Sequence, residues 1–405
     1  MKIYTDLSEI EKDSGLLGYV RALQREWNPD GGLGISQIGC LGNVPTIFIK
    51  ECKQVVSPEQ LHAWHRLFWN QGIASVLLII DPRTAYVFSG MEPPEQKGEK
   101  NRAMVERWDV VQDFLSNKQS LLTKVESGDF YKQYKAKFNP SKSVDGYLTA
   151  NLLELRNYLS PRIGEDCSHD FICRLLFVCY LVDRGIYSLP GYSGLSLHEA
   201  LIQMADDEAL RYLYNQFGIL KTKFNGSMFD QNLKEECSRF KAEYITALKN
   251  FLHGDELAKG QKTLGFWAYD FKWIPVETIS CIYENFLTGI DRKEKGAYYT
   301  PRLLAEMTID CAVESDPDWH QKRYLDPSCG SGIFLVTLFN RLATYWQFAH
   351  KHQGNGESFY VEKDTALRHI LEKQIVGIDI KQASCVLTCF SLYIAFLDFF
   401  EPIDI

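Results

Sequence analysis

The stretch Arg323–Leu342, RYLDPSCGSGIFLVTLFNRL, indicates a strand, a tight turn and a helix in that order. Apolar residues lead into Asp326, a glycine-rich segment follows, and apolar residues then recur at helical spacing. Gly330 and Gly332 permit positive φ and a close approach of the backbone to a ligand. The free N–H groups of the following helix point to the same place. The stretch therefore predicts a site for a ligand with an anionic or strongly polar part.

Two nucleotide-binding motifs are excluded by single positions in this stretch. No Gly-Lys-Ser/Thr follows the second glycine, so the turn is not a phosphate-binding P-loop. Leu335 stands where the dinucleotide fingerprint needs a third small residue. A second apolar run, IVGIDI, contains Asp379 near its end, and an aspartate at a strand end can accept both hydroxyls of a ribose. The residues therefore indicate a nucleoside-like ligand without the NAD pattern.

A second turn-and-helix signal lies upstream, in KGAYYTPRLLAEMTIDCAVE. Gly296 permits a turn, Thr300 is a helix-capping residue, and Pro301 fits the first helical position. The tyrosines Tyr298 and Tyr299 come just before the cap. This segment predicts a second cradle for an anion or a carboxylate, close upstream of the glycine turn.

The N-terminal part has the pattern of a small α/β domain. The run TIFIKECKQVV, residues 46–56, predicts a strand. A helix follows, with Ser57 as its N-cap, Pro58 at its first position and Gly72 as its stop. The runs ASVLLIID and AYVFSG then predict two strands joined by a hairpin-like turn.

The rest of the chain divides into a helical and a mixed part. From Arg102 to about Ala258 apolar residues recur at helical spacing nearly throughout. Further on, the apolar runs YLDP and IVGIDI are each followed by a helix, which predicts parallel strands. The fold class is α/β, with a small N-terminal α/β domain in residues 1–100, a helical region in 101–275 and a further α/β domain in 276–405.

Composition restricts the class of protein further. The 405 residues are 45% hydrophobic and 24% charged, which is typical of a globular protein, and no run is long and apolar enough for a membrane span. The acidic N-terminus is unlike a secretion signal, and the 11 cysteines form no CxxC pair, so we expect a cytoplasmic protein. The net charge of −8 means that any DNA contact is local or lies in a part not present here.

Three motifs in order carry a resemblance to a known family. The segments GAYYTP, LDPSCGSGIFL and VGIDI resemble motifs X, I and II of the gamma-class N6-adenine DNA methyltransferases of restriction-modification and phage-defence systems. The flanking IPVETISCIYENFLTG is similar to large type II proteins with a fused methylase. The resemblance implies a Rossmann-like domain that binds S-adenosylmethionine (SAM), of which this chain holds the beginning, an incomplete parallel sheet. It also implies double-stranded DNA as the partner, contacted mainly through regions beyond this chain.

The resemblance also assigns roles to individual residues. Three of them would close over the methionine end of the cofactor: Tyr298, Tyr299 and Thr300. Five in the glycine turn would lie along its amino-acid and sulfonium portion: Asp326, Ser328, Cys329, Gly330 and Gly332. Asp379 would accept the ribose hydroxyls, and Ile380 would pack on the adenine. Ser328 replaces the alanine usual in the family, a harmless change in a turn.

The family's catalytic motif is not found after Asp379. That motif, Asn or Asp followed by Pro-Pro and an aromatic residue, holds the flipped target adenine. No such string occurs up to Ile405, so we expect it beyond this residue and assign no catalytic residue in this chain. The sequence therefore predicts the N-terminal portion of an enzyme, inactive as a methylase by itself. A non-catalytic SAM-binding scaffold is the alternative from another class.

A nuclease is the remaining alternative. Glu51 and Lys53 end the predicted strand and Asp30 precedes it, which is the rough shape of a PD-(D/E)xK nuclease. In such a site two carboxylates hold Mg²⁺ and a lysine polarises the attacking water. Related fused restriction enzymes carry a nuclease at this end, but short Glu-x-Lys strings are also common at solvated strand ends. Mg²⁺ is expected only if this methylase–nuclease fusion holds; otherwise no metal is expected.

Overall fold

The computed structural model describes most of the chain, in two compact units. The described residues are 1–94, 102–110, 114–224, 232–253, 268–278, 300, 302–313, 315–350 and 357–400. Those within 1–146, 275–284 and 296–397 form one unit, and those within 147–274 and 398–405 belong to the other. No helix within these ranges combines the length and apolar character needed to cross a membrane.

A six-stranded sheet forms the centre of the first unit. Its strands are β1 Lys2–Tyr4, β2 Gln37–Leu41, β3 Val44–Glu51, β4 Val76–Ile80, β5 Thr84–Ser89 and β6 Met104–Asp109. The strands lie in the order of the sequence, and every neighbouring pair is antiparallel except β3 and β4. Those two are parallel because a helix, α3, connects them. The sheet is therefore mixed and mostly antiparallel.

Helix α3, Pro58–Gln71, begins and ends at the residues that the sequence predicts. The Ser57 hydroxyl accepts the N–H of Gln60 at 3.2 Å, and the Gln60 side chain accepts the N–H of Ser57 at 3.0 Å, which completes a capping box. Gly72 ends the helix at φ 58°, a left-handed conformation that favours glycine.

Apolar side chains cover both faces of this sheet. On β3, Phe48 joins one buried cluster with Phe68 of α3, and the neighbouring Ile47 and Ile49 join a second cluster on the other face. Two helices cover that second face, α4 Phe114–Ser127 and α5 Asp129–Gln133. Short helices α1 Leu7–Glu11 and α2 Val20–Trp27 contribute Ile10, Val20 and Leu23 to the first cluster. The sheet is thus the middle of three layers, with helices on both of its faces.

One sequence prediction about this region is wrong. We expected helical periodicity from Arg102 onward, but Met104–Asp109 is strand β6, paired antiparallel with β5. Trp108 lies opposite Ala85, and Arg107 lies opposite Tyr86 with its guanidinium 5.6 Å from the ring centroid. Pairing with an existing strand satisfies the backbone of a short segment that has no helical partner, so tertiary contact overrides the local periodicity.

Helices make up the described part of the second unit, as the sequence predicts for the middle of the chain. They are α6 Val144–Ile163, which starts in the first unit, α7 Glu165–Asp183, α8 Leu197–Ile202, α9 Asp206–Phe224, α10 Leu233–Arg239 and α11 Ala242–His253. Asp183 at the end of α7 accepts the N–H of Phe271 at 3.1 Å, and Arg184 donates to the Phe271 and Ile274 carbonyls at 3.1 and 3.0 Å. These bonds fix the segment just before residue 275.

The remaining elements of the first unit contain the glycine turn. They are α12 Arg302–Val313, β7 Tyr324–Asp326, α13 Ile333–Ala349, α14 Glu357–His369, a π-helical turn Ile370–Gln374, β8 Ile375–Gly377 and α15 Gln382–Leu397. β7 and β8 are parallel, with Tyr324 opposite Ile375 and Asp326 opposite Gly377. The parallel strand pair predicted from YLDP and IVGIDI is therefore confirmed; the fuller Rossmann-like sheet stays a prediction.

Candidate functional site

The two parallel strands bring their carboxyl ends to the same place. The Asp326 carbonyl accepts the N–H of Ile378 at 2.9 Å, and the Cys329 N–H donates to the Ile378 carbonyl at 2.9 Å. Asp326 ends β7, and Asp379 follows β8 by two residues. Ligands of open α/β sheets lie outside the carboxyl ends of the strands, which is where these two carboxylates are found.

The Asp379 carboxylate is bound to the glycine turn. Its Oδ2 accepts the N–H of Gly330 at 3.0 Å, and its Oδ1 accepts the N–H of Lys381 at 2.7 Å. Each oxygen of a carboxylate has a further lone pair, so Asp379 can accept additional hydrogen bonds. The two predicted cofactor elements, the glycine turn and the aspartate after β8, therefore lie in direct contact.

Asp326 has an unused acceptor. Its Oδ1 accepts the N–H of Ser328 at 3.0 Å, whereas its Oδ2 is buried and has no hydrogen-bond partner among the described residues. Burial raises the pKa of Asp326, and the negative charge of Asp379 raises it further, against the lowering effect of the Ser328 N–H. A buried carboxylate oxygen without a donor is unfavourable, so this atom is suited to a cationic or hydrogen-bond-donating ligand group.

The glycines have the geometry for which only glycine is suited. Gly330 has φ 52° and Gly332 has φ 90°, both in the left-handed region. A Cβ on Gly332 would lie 2.8 Å from Cγ2 of Thr388. Gly332 precedes α13, and no side chain in the described part of the chain caps that helix. The first N–H groups of a helix 17 residues long are thus left for a ligand.

Cys329 supports the turn from inside. It is buried, and its Sγ lies 3.7 Å from Oγ1 of Thr388, which also donates to the Gly330 carbonyl at 2.9 Å. Burial raises the pKa of the Cys329 thiol to about 11, so the thiol keeps its proton at neutral pH. Cys329 therefore acts as a small packing residue in this turn.

The other predicted cofactor residues differ in what can be said of them. Ser328 is exposed and Thr300 is half-buried. Ile380 is 99% exposed, so its side chain is available to a ligand. Tyr298 and Tyr299 lie outside the described residues, as does Pro301.

Thr388 is a residue that the sequence reasoning missed. It lies on α15 in the apolar run CVLTCF, and its side chain both bonds the turn and packs beside Gly332. The available signal was a polar residue on an otherwise apolar helix that follows the second strand.

The predicted nuclease residues are not gathered around a metal site. Glu51 ends β3, and its Oε1 accepts from Nε2 of Gln37 at 3.3 Å. Within the described residues the side chains of Asp30 and Lys53 are exposed and make no hydrogen bond or ion pair. No group of three or more His, Cys, Asp or Glu side chains in the described ranges could hold a metal ion. The nuclease stays a hypothesis that this geometry does not support.

The fold brings two carboxylates and a glycine turn together at the ends of a parallel strand pair. Residues 276–396 match the family model described as N-6 DNA Methylase. The matched segment covers the site described above, from α12 into α15.

A solved structure is also similar to this chain. It is described as "cryoEM structure DrdV-DNA complex", at 13% sequence identity and a TM-score of 0.31. The similarity covers 97% of this chain and 39% of the other, so this chain spans well under half of that protein's length.

Proposed function

We propose that this chain forms part of a SAM-dependent, adenine-specific (N6) DNA methyltransferase of a restriction-modification or phage-defence system. Residues 276–396 would bind the methyl donor. The observation that carries the proposal is the pair of aspartates, Asp326 and Asp379, at the ends of paired parallel strands beside the glycine turn. The family of this segment supports the activity on DNA.

Two polar groups of the site are suited to the two charged groups of the amino-acid portion of SAM. The buried, unpartnered Oδ2 of Asp326 is suited to the α-ammonium group. The uncapped N-terminus of α13 is suited to the α-carboxylate, because helix N–H groups and the helix dipole favour a negative charge. A zwitterion satisfies both, whereas a simple anion would meet the Asp326 carboxylate.

The ribose, the adenine and the methionine end of SAM would be held by residues around the glycine turn. Asp379 would accept the ribose hydroxyls, since both its oxygens have free lone pairs. The exposed Ile380 would pack on the adenine ring. Thr300, with Tyr298 and Tyr299 before it, would close over the methionine end. When bound, SAM supplies a methyl group on a sulfonium; the residues of this chain bind and orient it.

The DNA partner and the adenine target are part of the same proposal. The description of the matching family model supports DNA as the substrate class, and its term N-6 supports an adenine amino group as the target. The net charge of −8 makes a general electrostatic attraction to DNA unfavourable. Contact with the duplex would therefore be local, and the base would have to leave the stack before transfer.

Calorimetric titration of the 405-residue protein with SAM tests the proposal. The wild type, Asp379→Ala and Asp318→Asn are compared. Asp318 is an exposed aspartate in the turn before β7 and serves as the matched control. We expect Asp379→Ala to weaken binding at least about tenfold, the equivalent of about 1.4 kcal/mol, because it removes a charged hydrogen-bond acceptor.

The control variant should bind SAM as the wild type does. If the wild type shows no heat of binding, or if Asp379→Ala binds SAM unchanged, the proposed cofactor site is wrong.

A further inference from the structure

A buried arginine joins the two helices next to the proposed cofactor site. Arg341 on α13 is 3% exposed, and its Nε donates to Oε2 of Glu306 on α12 at 2.9 Å. Its Nη1 donates to Oδ1 of Asp310, one turn further along α12, at 2.6 Å. Its Nη2 bonds both the Glu306 carboxylate and the Glu306 carbonyl. The planar guanidinium thus fixes one helix against the other in a single orientation.

A second set of contacts extends this pairing. Arg302, at the start of α12, lies 3.9 Å from Oε1 of Glu306 and 3.8 Å from Oε1 of Glu277. Glu277 is also buried and accepts from Nδ2 of Asn340 on α13 at 3.0 Å. Two neighbouring residues of α13, at positions 340 and 341, therefore contact acidic groups that both lie near Arg302 of α12.

These helices begin where the proposed cofactor elements end. α12 is described from Arg302, two residues after Thr300. α13 begins at Ile333, directly after the glycine turn. An interaction that sets the position of α12 relative to α13 therefore also sets the position of Thr300 relative to the turn.

Residues near the N-terminus pack against the Glu306 carboxylate. A Cβ on Gly18 would lie 2.8 Å from both oxygens of Glu306. The Tyr19 ring has the Arg302 guanidinium 5.2 Å from its centroid. Glu306 is thus enclosed on one side by Arg341 and on the other by Gly18. Burial raises the pKa of the Glu306 carboxyl, and the charges of Arg341 and Arg302 oppose that shift.

We propose that Arg341 is a positioning residue for the cofactor site. Through Glu306 it holds α12, and with it Thr300, in place relative to the glycine turn and Asp379. The inference rests on the proposed function and adds a residue that does not itself touch the ligand. The binding of a ligand that contacts both Thr300 and the glycine turn with Asp379 therefore depends on Arg341. The binding of a ligand that contacts only one of these sites does not.

Two ligands distinguish this role from a general loss of structure. S-adenosylhomocysteine spans both elements, whereas adenosine reaches only the Asp379 side. Variant Arg341→Met should weaken S-adenosylhomocysteine binding about tenfold and adenosine binding less than about twofold, because only the first ligand needs both elements in register. A purely structural defect would reduce both affinities by the same factor.

Gly18→Ala is the second variant, because it keeps every charged residue. The added Cβ displaces the Glu306 carboxylate from the other side, so the same preferential loss of S-adenosylhomocysteine binding is expected. Arg368→Met is the matched control, since Arg368 pairs with Asp364 on the exposed side of α14. It should change neither affinity.

Calorimetry of the 405-residue protein with each ligand, at a temperature where circular dichroism shows every variant folded, measures these ratios. If Arg341→Met does not fold, Gly18→Ala decides the question alone. Equal losses for both ligands, or no loss, would overturn the positioning role. Failure of the wild type to bind S-adenosylhomocysteine, or unchanged binding by Asp379→Ala, would instead overturn the proposed function.

Discussion

The six-stranded sheet and the β7–β8 pair are held together by different interactions. All five residues of β4 are buried, and apolar clusters cover both faces of the sheet around it. On the strand pair, Leu325 is 60% exposed and its neighbour Val376 is 38% exposed. The strand pair and the turn are held together by backbone hydrogen bonds between the two strand ends and by the bond from the Gly330 N–H to Asp379. Burial specifies the first region, and polar contacts specify the site.

This difference predicts that substitutions of apolar side chains are tolerated better in the strand pair than in the six-stranded sheet. Apolar packing contributes most to stability where side chains are fully removed from water. The site residues instead keep unused acceptors and uncapped N–H groups, which are unfavourable for stability and useful for a ligand. The strand pair, whose Leu325 and Val376 are partly exposed, is therefore suited to binding more than to stability.

Alanine substitutions at two leucines should give the largest difference in unfolding free energy. Leu77→Ala in β4 removes a side chain that is 0% exposed, and we expect a loss of about 2–5 kcal/mol in unfolding free energy. Leu325→Ala in β7 removes a largely solvated side chain and should cost less than about 1 kcal/mol. Urea unfolding followed by circular dichroism measures both. Equal losses would show that burial also specifies the strand pair.

Alanine substitutions at two glycines distinguish the cost of a left-handed backbone from the cost of close packing. Gly128 and Gly332 have φ 79° and 90°, but only Gly332 has a neighbour, Thr388, within reach of an added Cβ. Gly128→Ala should cost about 1–2 kcal/mol from the left-handed backbone alone. Gly332→Ala should cost more, and it should also weaken SAM binding, because Thr388 or the turn must move.

Thermal unfolding and SAM titration of both glycine variants provide the measurement. A loss of SAM affinity in Gly128→Ala, or none in Gly332→Ala, would contradict the assignment of the turn.

The smallest expected effect is a pH dependence of SAM affinity. The pKa of Asp326 is raised above its ordinary value by burial, and the α-ammonium group binds the ionised form. Affinity should therefore be full above this raised pKa and fall as the pH drops through it. Asp326→Asn should bind about tenfold more weakly at neutral pH, with the acid dependence of this group removed.

Asp183 supplies the control for this titration. Burial raises its pKa to about 7, yet its partner is the Phe271 N–H in the helical unit. Asp183→Asn should leave the pH dependence of SAM affinity as in the wild type. If instead it removes that dependence, Asp326 is not the group that responds.

Local signals in the sequence were sufficient for several elements. The capping residues Ser57 and Gly72 fix the ends of α3 because their chemistry acts within one helical turn. The glycine turn and the parallel strands were predicted for the same reason: the necessary residues are close together in sequence. Strand β6 was not, since its pairing with β5 depends on a contact made after the chain folds.

The polar contacts around the site were beyond sequence reasoning. Arg341 follows an apolar run, and nothing near it indicates partners 31 and 35 residues away. Thr388 lies 58 residues from the carbonyl that it contacts. Such pairs depend on how two helices pack, which no local pattern records. The roles of Tyr298 and Tyr299 stay predictions.

The buried thiol of Cys329 has a practical consequence for chemical labelling. Thiol reagents attack the thiolate, and this cysteine holds its proton with a pKa of about 11. Cys311, on α12, is exposed instead. A maleimide dye added at neutral pH should therefore react at the exposed thiols Cys311 and Cys389 ahead of Cys329. Cys389 directly follows Thr388, which bonds the glycine turn, so a Cys389→Ser variant labelled at Cys311 can report on ligand binding without blocking the site.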